Sequence, residues 1–313
     1  MKEALLEIIN HPKRVLFQEP LANHATFRIG GPADYFVMPE NETELVHILE
    51  ACKMHHVPVI VIGNGSNLLF DDNGFRGCVI QLANHFTGIE RIDDRTFYAK
   101  AGTTLAKVAA FACEQCLTGL EFASGIPGSV GGGVLMNAGA YGGELSQCVT
   151  ASDYLDIRAL TAGENYIKEY RGEAQKFGYR HSVYQEKDHI ILGAYFTLTP
   201  EPSREKIAGT MKELNLRRKE KQPLEYPSAG STFKRPTGDF AGRLIEVSGL
   251  KGLRVGDAMV SEKHAGFVIN AGHATCAQVL ALIDEVQRRV QEDSGILLEP
   301  EIKMIKEDDG WNL

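Results

Sequence analysis

The chain has 313 residues, with 33 Lys and Arg against 41 Asp and Glu, and a formal net charge of −8. That length allows about two domains with a cleft between them. The acidic balance argues against broad electrostatic capture of nucleic acid or anionic membranes, although a few local cations would suffice for a small anionic ligand.

The N-terminal sequence MKEALLEIINHPKRV mixes acidic residues with apolar ones, unlike a signal or transit peptide. No apolar run approaches the roughly 20 residues of a membrane-spanning helix. These features predict a cytoplasmic protein that binds no membrane. The six cysteines are scattered, and Cys113 and Cys116 fall in a predicted amphipathic helix, so buried thiols are a better interpretation than disulfides or a metal site.

The first 80 or so residues predict a small α/β unit. The segment ADYFVMP has the pattern of a strand, ETELVHILEACKMHH that of an amphipathic helix, and VPVIVIG that of a buried strand. The sequence GNGSNLL follows that strand directly. A glycine turn after a strand is typical of a phosphate-binding loop, but here it follows the second strand, so the segment is not a Rossmann fingerprint.

The remaining elements predict a strand-rich second lobe and an α+β third lobe. Strand candidates are CVIQL, TFYAKA, YLDIRAL and HIILGAYFTL, with one helix at 103–116. A charged helix, SREKIAGTMKELNLRRKEKQP, ends before Pro223. The third lobe runs from about Leu224 to Gly295 and ends in the helix TCAQVLALIDEVQRRVQEDSG. A strand, LLEPEIKMI, then closes the fold, and the terminal EDDGWNL is expected to fray.

Two glycine-rich segments are candidates for cofactor binding. The first is GNGSN at 63–67, which alone is weak evidence. The second, SGIPGSVGGGVLMNAGAYGGE at 124–144, has eight glycines within 21 residues yet keeps apolar residues between them. Bare backbone lets N–H groups approach a diphosphate closely. A tight-turn connection would explain some of these glycines, but a large, flat, phosphorylated cofactor accounts for them better.

Seven separated segments, in order, resemble the UDP-N-acetylenolpyruvoylglucosamine reductase (UDP-N-acetylmuramate dehydrogenase) family. They are TFRIGGPAD, GNGSNLL, SGIPGSVGGGVLMNAGAYGGE, FGYRHSVY, PSAGSTFKRP, GLKGLRVGDAMVSEKHAGFVIN and LLEPEIKMI. The resemblance covers nearly the whole chain. The chain resembles the shorter, second type of the family in two features: it has Arg235 and Pro236, and it lacks a tyrosine-bearing loop.

The resemblance implies an α+β fold: a two-lobed FAD-binding region of the vanillyl-alcohol-oxidase-like type and a third, substrate-binding lobe. The expected divisions are lobe 1 at 1–80, lobe 2 at 81–220, the substrate-binding domain at 221–298, and a C-terminal strand and tail at 299–313 that complete the site.

The resemblance also implies non-covalent FAD and an NADPH electron donor for reduction of UDP-N-acetylglucosamine enolpyruvate in peptidoglycan precursor synthesis. It implies no metal, nucleic acid or obligatory protein partner. Lys221 is expected near the nucleotide phosphates of the substrate. The residues expected around FAD are Gly63, Asn64, Gly65, Ser66, Asn67, Gly125, Ile126, Pro127, Gly128, Ser129, Gly132, Asn137 and Arg218.

Three residues of the matching motifs carry the expected chemistry. Hydride addition to the enolpyruvyl methylene carbon leaves negative charge that needs a cation and a proton source. The resemblance assigns Arg180 as the cation, Ser231 as the proton donor, and Glu301 as the acid beside the enolate. From their neighbouring residues alone, Arg180 could belong to a surface ion pair and Ser231 could be an ordinary turn serine. Glu301 could lie on a solvated strand edge, where Glu299 is an alternative candidate for the same role.

Two other functions remain open from the residues. A different FAD-dependent oxidase or dehydrogenase would share the glycine loops but need not have Ser231 or Glu301. A nucleotide-binding regulator would bind FAD or the UDP-sugar without turnover.

Overall fold

The first lobe is built on a four-stranded sheet. In a computed structural model that describes residues 1–313, this sheet has the order β1-β2-β5-β3, with β2, β5 and β3 parallel and β1 antiparallel. Helices α1 and α2 pack together beside it. The elements of this lobe are α1 (Lys2–Ile8), β1 (Val15–Pro20), β2 (Pro32–Val37), α2 (Glu42–Met54), β3 (Val59–Ile62), β4 (Leu68–Phe70) and β5 (Phe75–Gln81).

The second lobe is built on a five-stranded antiparallel sheet with the order β12-β11-β13-β7-β6. Its strands are β6 (Ile89–Arg91), β7 (Thr96–Lys100), β8 (Leu117–Thr118), β9 (Gly139–Ala140), β10 (Gly143–Glu144), β11 (Val149–Asp156), β12 (Ile167–Arg171), β13 (His189–Thr197) and β14 (Thr199–Pro200). Its helices are α3 (Leu105–Glu114), α4 (Val130–Met136), α5 (Ile157–Ala162) and α6 (Arg204–Lys221).

In the third lobe, one helix packs on a three-stranded antiparallel sheet with the order β15-β16-β17, and a second helix packs against the first. Helix α8 buries Val279, Leu282, Val286 and Val290 at helical spacing. The lobe contains α7 (Ala241–Val247), β15 (Arg254–Val255), β16 (Ala258–Val260), β17 (Val268–Asn270) and α8 (Cys276–Ser294). The chain then returns to the first lobe, where β18 (Lys303–Ile305) pairs in parallel with β4.

The predicted strand YLDIRAL is wrong in its second half. Strand β11 ends at Asp156 and α5 begins at Ile157, because the Asp156 carboxylate accepts the backbone N–H groups of Arg158 and Ala159 at 3.1 Å each. A carboxylate at this position satisfies N–H groups that have no partner within the helix. The predicted end of α8 is confirmed, since Gly295 adopts φ 74° just past Ser294.

The predictions for the C-terminal segment need two corrections. Only Lys303–Ile305 of LLEPEIKMI forms a strand, because Pro300 cannot donate to a ladder and makes only an isolated bridge with Phe233. The tail does not fray. The backbone N–H and carbonyl of Trp311 hydrogen-bond with those of Val59 in β3, at 2.9 and 3.1 Å, which holds the tail against the first lobe.

Contacts between lobes hold the third lobe against the first. The carboxylate of Asp72 accepts the backbone N–H groups of Cys276 and Ala277, at 2.7 and 3.0 Å, and so caps α8 from another lobe. The Thr26 hydroxyl donates to the Ser228 carbonyl at 2.7 Å. No helix of the structure combines the length and apolar character needed to cross a membrane.

Candidate active site

One cavity lies where the two glycine-rich segments meet the third lobe and the C-terminal strand. It is open to solvent and spans about 1140 Å³, a volume that includes part of its open mouth. The sequence-predicted residues that line it are Gly63, Asn64, Gly65, Ser66, Asn67, Ile126, Pro127, Gly128, Gly132, Arg180, Arg218, Ser231 and Glu301.

The loop over residues 63–67, called the phosphate loop below, is held in place by its own backbone and amides. Gly65 has φ 62°, and a Cβ there would lie 2.0 Å from the His24 carbonyl oxygen, so only glycine fits. The Asn64 side chain donates to the Pro127 carbonyl at 2.6 Å, which ties the two glycine-rich segments together. The loop conformation is therefore set before any ligand binds.

Two glycines, Gly128 and Gly132, could carry a side chain without clashing with the rest of the protein. A Cβ at Gly128 would meet nothing closer than 3.6 Å, and one at Gly132 nothing closer than 3.8 Å. Neither residue has a positive φ that would demand glycine. Both line the cavity, where a side chain would fill space beside the phosphate loop. These features fit a flat, phosphorylated group pressed against the backbone.

Arg180 and Glu301 form an ion pair in the cavity, although 121 residues separate them. The Arg180 Nε donates to Glu301 Oε1 at 2.6 Å, and the two side chains are only 21% and 11% exposed. Arg180 itself has φ 54°, and its carbonyl accepts a hydrogen bond from Gln185 Nε2 at 2.9 Å. A non-glycine residue in this region of φ is held there by its surroundings, as is common at functional sites.

Burial makes Glu301 easier to protonate than an exposed carboxyl. Burial raises the pKa of the Glu301 carboxyl above its ordinary value, despite the opposing charges of Arg180 and Lys234. Its backbone N–H donates to the Thr232 carbonyl at 2.8 Å, and its carbonyl accepts from Asn67 at 3.2 Å. These two hydrogen bonds therefore fix the Glu301 backbone between Thr232, the residue after Ser231, and the phosphate loop.

Ser231 is an exposed residue at the wall of the same cavity. The preceding Gly230 has φ 80°, and Thr232 is buried, with its hydroxyl accepting the Val268 N–H at 2.8 Å. The backbone on both sides of Ser231 is thus constrained while its hydroxyl stays accessible. By contrast, Ser261 of the same lobe is buried, and its hydroxyl accepts the backbone N–H groups of Lys263 and His264.

The cavity has a cationic character within an acidic protein. Burial lowers the pKa of the Arg218 guanidinium, and no carboxylate offsets that cost. A desolvated cation without a carboxylate partner is suited to an anionic ligand. Lys303 also lines the cavity, as does Gln222, whose buried Oε1 has no hydrogen-bond partner. The sequence alone did not single out Gln222 or give Lys303 a role, since neither belongs to a recognisable local pattern.

Four of the predicted site residues do not line this cavity. Gly125 packs beside Arg218 and Asn215. Ser129 is buried and borders a different cavity. The Asn137 side chain is hydrogen-bonded within the protein: its amide nitrogen donates to the Gly178 carbonyl, and its amide oxygen accepts from the Ser146 N–H. Lys221 is exposed at the last residue of α6.

Comparisons with known proteins show which proteins the chain is similar to. Residues 222–305 match the model of the UDP-N-acetylenolpyruvoylglucosamine reductase C-terminal domain, and residues 33–162 match that of an FAD binding domain. The chain is 51% identical to UDP-N-acetylenolpyruvoylglucosamine reductase of Agathobacter rectalis, covering 94% of each chain. It is 47% identical to that of Lachnoclostridium phytofermentans, covering 96% of each.

A solved structure extends the comparison to the fold. The crystal structure of UDP-N-acetylenolpyruvylglucosamine reductase (MurB) from Thermus caldophilus superposes with a TM-score of 0.75 at 37% identity, covering 93% of this chain and 97% of that one. The predicted α+β fold with an FAD-binding region is therefore confirmed.

Proposed function

The chain belongs to the UDP-N-acetylenolpyruvoylglucosamine reductase family, and from that premise we propose that it reduces UDP-N-acetylglucosamine enolpyruvate to UDP-N-acetylmuramate. FAD is the bound cofactor and NADPH the electron donor of this reaction. The product is a peptidoglycan precursor. The observation that carries the proposal is the Arg180–Glu301 pair, which shares one cavity with Ser231 and the phosphate loop.

The residues that would hold FAD are those of the phosphate loop and the bare glycines opposite it. Backbone N–H groups of residues 63–67 would bind the diphosphate, and Gly128 and Gly132 would leave room for the cofactor. When bound and reduced by NADPH, FAD would supply the hydride for the enolpyruvyl methylene carbon. Arg218 contributes a positive charge for the phosphate groups.

Arg180 and Glu301 stabilise the negative charge that develops on the substrate. After hydride addition, the electron pair of the C=C bond moves to the neighbouring carbon and into the adjoining carboxylate. Arg180 offers a fixed cation there, and Glu301, when it carries its proton, can donate a hydrogen bond to the developing charge without adding a negative charge of its own. Both side chains are largely buried, so the interactions are stronger than they would be in water.

Ser231 completes the reaction by donating its hydroxyl proton to the carbon next to the carboxylate. An enolate is a strong enough base to take a proton from serine when the geometry is right. Because Ser231 is exposed, solvent can restore its proton afterwards. The net change adds one hydride and one proton across the C=C bond.

We also propose the division of labour along the chain. Residues 1–80 and 81–220 hold the cofactor, residues 221–298 bind the substrate, and residues 299–313 complete the site through Glu301. Lys221, at the exposed end of α6, would meet only the outer part of the substrate. Gly125 and Asn137 would support the cofactor indirectly, through the packing that surrounds it.

An anaerobic titration tests the proposal directly. The purified protein is reduced with NADPH while its visible flavin band is followed, and UDP-N-acetylglucosamine enolpyruvate is then added. Rapid return of the band, with formation of UDP-N-acetylmuramate, is the expected result. Bleaching without a response to this substrate would instead indicate a different flavin-dependent oxidoreductase, and a protein that cannot take up FAD would refute the proposal.

A further inference from the structure

The motif TFRIGGPAD belongs to the first lobe but packs into the third. Its Phe27 and Ile29 side chains are buried in the hydrophobic core of the third lobe, together with residues of α7 and α8. No residue of the motif lines the active-site cavity. Any effect of the motif on the reaction must therefore pass through the residues that it contacts.

Thr26, the first residue of this motif, joins two segments that line the cavity. Its backbone N–H donates to the Gly65 carbonyl of the phosphate loop at 3.2 Å. Its hydroxyl donates to the Ser228 carbonyl of the third lobe at 2.7 Å. Ser228 lies three residues before Ser231. One residue thus sets the spacing between the loop proposed to bind the FAD diphosphate and the segment that carries the proposed proton donor.

Asn270 of β17 reinforces the same connection. Its side-chain amide donates to the Phe27 carbonyl at 3.3 Å, and its backbone N–H donates to the Pro227 carbonyl at 2.9 Å. The Asn270 Oδ1 accepts the backbone N–H groups of Gly272 and Ala274, which fixes the side chain. The two lobes are therefore joined here by directional hydrogen bonds as well as by apolar packing.

The turn that carries Ser231 needs support at both ends. Gly230 has φ 80°, and a Cβ there would meet nothing within 4 Å, so neighbouring atoms do not confine the middle of the turn. On the C-terminal side, the Thr232 backbone is hydrogen-bonded at 2.8 Å to the third lobe and to the C-terminal segment. On the N-terminal side, the Ser228 carbonyl accepts only the hydroxyl of Thr26. Loss of that hydroxyl would release one end of the turn.

We propose that Thr26 is a positioning residue for proton donation, because its hydroxyl holds the Ser231 turn at the distance from the cofactor that the reaction requires. The inference rests on the proposed function. Thr26 does not line the cavity, so it acts through the turn rather than on the substrate. A misplacement of about 1 Å, caused by a residue remote from the chemistry, can slow a reaction by about 10²-fold.

Two substitutions at Thr26 separate its hydroxyl from its shape and its backbone. Thr26→Val removes the hydroxyl but keeps the side-chain shape and the N–H that reaches Gly65, whereas Thr26→Ser keeps the hydroxyl. Thr26→Ala, which also lacks the hydroxyl, is made in parallel, and thermal melting of each variant checks folding. Asp72→Ala is the matched control, because Asp72 also joins the first lobe to the third, but at the start of α8.

Rapid mixing under anaerobic conditions measures flavin reduction by NADPH and flavin reoxidation by saturating UDP-N-acetylglucosamine enolpyruvate. Thr26→Val should reoxidise about tenfold more slowly than the wild type, as expected when one hydrogen bond is lost from the reacting geometry. Its rate of flavin reduction and its FAD dissociation constant should stay within about twofold of the wild type. Thr26→Ser should keep all three values within the same range, and Asp72→Ala should lower Tm without slowing reoxidation.

A double-mutant cycle shows whether the effect of Thr26 passes through Ser231. The Ser231→Ala background has no hydroxyl left to position, so Thr26→Val should slow its reoxidation by no more than about twofold. Residues that act as a unit give such non-additive losses, whereas a general loosening of the structure would slow both backgrounds equally.

Several outcomes would overturn the inference while leaving the proposed function intact. These are reoxidation of Thr26→Val and Thr26→Ala at the wild-type rate, failure of Thr26→Ser to keep that rate, and a loss that persists in the Ser231→Ala background. An equal loss in Asp72→Ala would also contradict it, because the effect would then come from contact between the lobes in general. A wild type that takes electrons from NADPH but ignores the enolpyruvyl substrate would instead refute the proposed function.

Discussion

Replacing Ser231 by alanine isolates proton donation from the other steps of the proposed reaction. Ser231 is exposed, and the constrained backbone around it depends on Gly230 and Thr232 rather than on its own hydroxyl. We therefore expect the free energy of unfolding to change by no more than about 0.5 kcal/mol. The variant should fold, bind FAD and accept electrons from NADPH as the wild type does.

The magnitude of the catalytic effect follows from the role assigned to the hydroxyl. A positioned proton donor typically contributes about 10²–10⁴-fold to the rate, which corresponds to about 3 to 5 kcal/mol of the activation barrier. Arg180 and Glu301 are untouched by the substitution and should still stabilise the developing charge. The loss should therefore appear in the reaction with the enolpyruvyl substrate and leave the reaction with NADPH unchanged.

Rapid mixing under anaerobic conditions separates the two half-reactions. Bleaching of the flavin band by NADPH reports the first, and its return on adding UDP-N-acetylglucosamine enolpyruvate reports the second. Ser228→Ala is the matched control, because Ser228 lies three residues away and does not line the cavity. Ser231→Cys, which keeps a dissociable proton, should recover part of the rate.

The assignment would be refuted by a Ser231→Ala variant that reoxidises at the wild-type rate and forms UDP-N-acetylmuramate. Equal losses in both half-reactions would also contradict it, since a proton donor to the substrate has no part in electron transfer from NADPH. In that case the residue would affect cofactor placement instead.

Three further predictions concern charge. Burial raises the pKa of Glu301, so the folded protein holds this proton more tightly than the unfolded chain does, and wild-type stability should fall as pH rises through that pKa. Glu301→Gln should reduce the resulting fall in Tm between acidic and neutral pH. Arg218→Met should weaken FAD about tenfold or more by calorimetry without lowering stability, whereas exposed Arg217→Met should change neither. Asp72→Ala should cost about 1–2 kcal/mol and lower Tm by about 1–3 °C, unlike Asp284→Ala on an exposed face of α8.

The local elements were the most predictable part of this protein. Helices α2 and α8 and strands β2 and β3 lie where their hydrophobic periodicity predicted them, and the glycine loop follows β3 as expected. Periodicities of 3.6 and 2 are properties of neighbouring residues, so they can be read without knowing the fold. The family itself was also identifiable, because several motifs occur in a fixed order along the chain.

The two failures have causes that hydrophobic periodicity does not capture, one local and one distant in the chain. The segment YLDIRAL changes from strand to helix at Asp156, whose side chain caps the helix that follows. The C-terminal tail is ordered because Trp311 pairs with Val59, about 250 residues earlier in the chain. A polar, glycine-containing terminus resembles a disordered one until its distant partner is known.

Only the tertiary structure decides which side chains act together. Arg180, Ser231 and Glu301 come from the second lobe, the third lobe and the C-terminal segment, and their common cavity depends on how these parts pack. The same packing buries Glu301 and raises its pKa, and it leaves Arg218 without a carboxylate partner. The sequence determined the elements and the family through short-range patterns, whereas burial, charge and proximity arise from contacts between residues far apart in the chain.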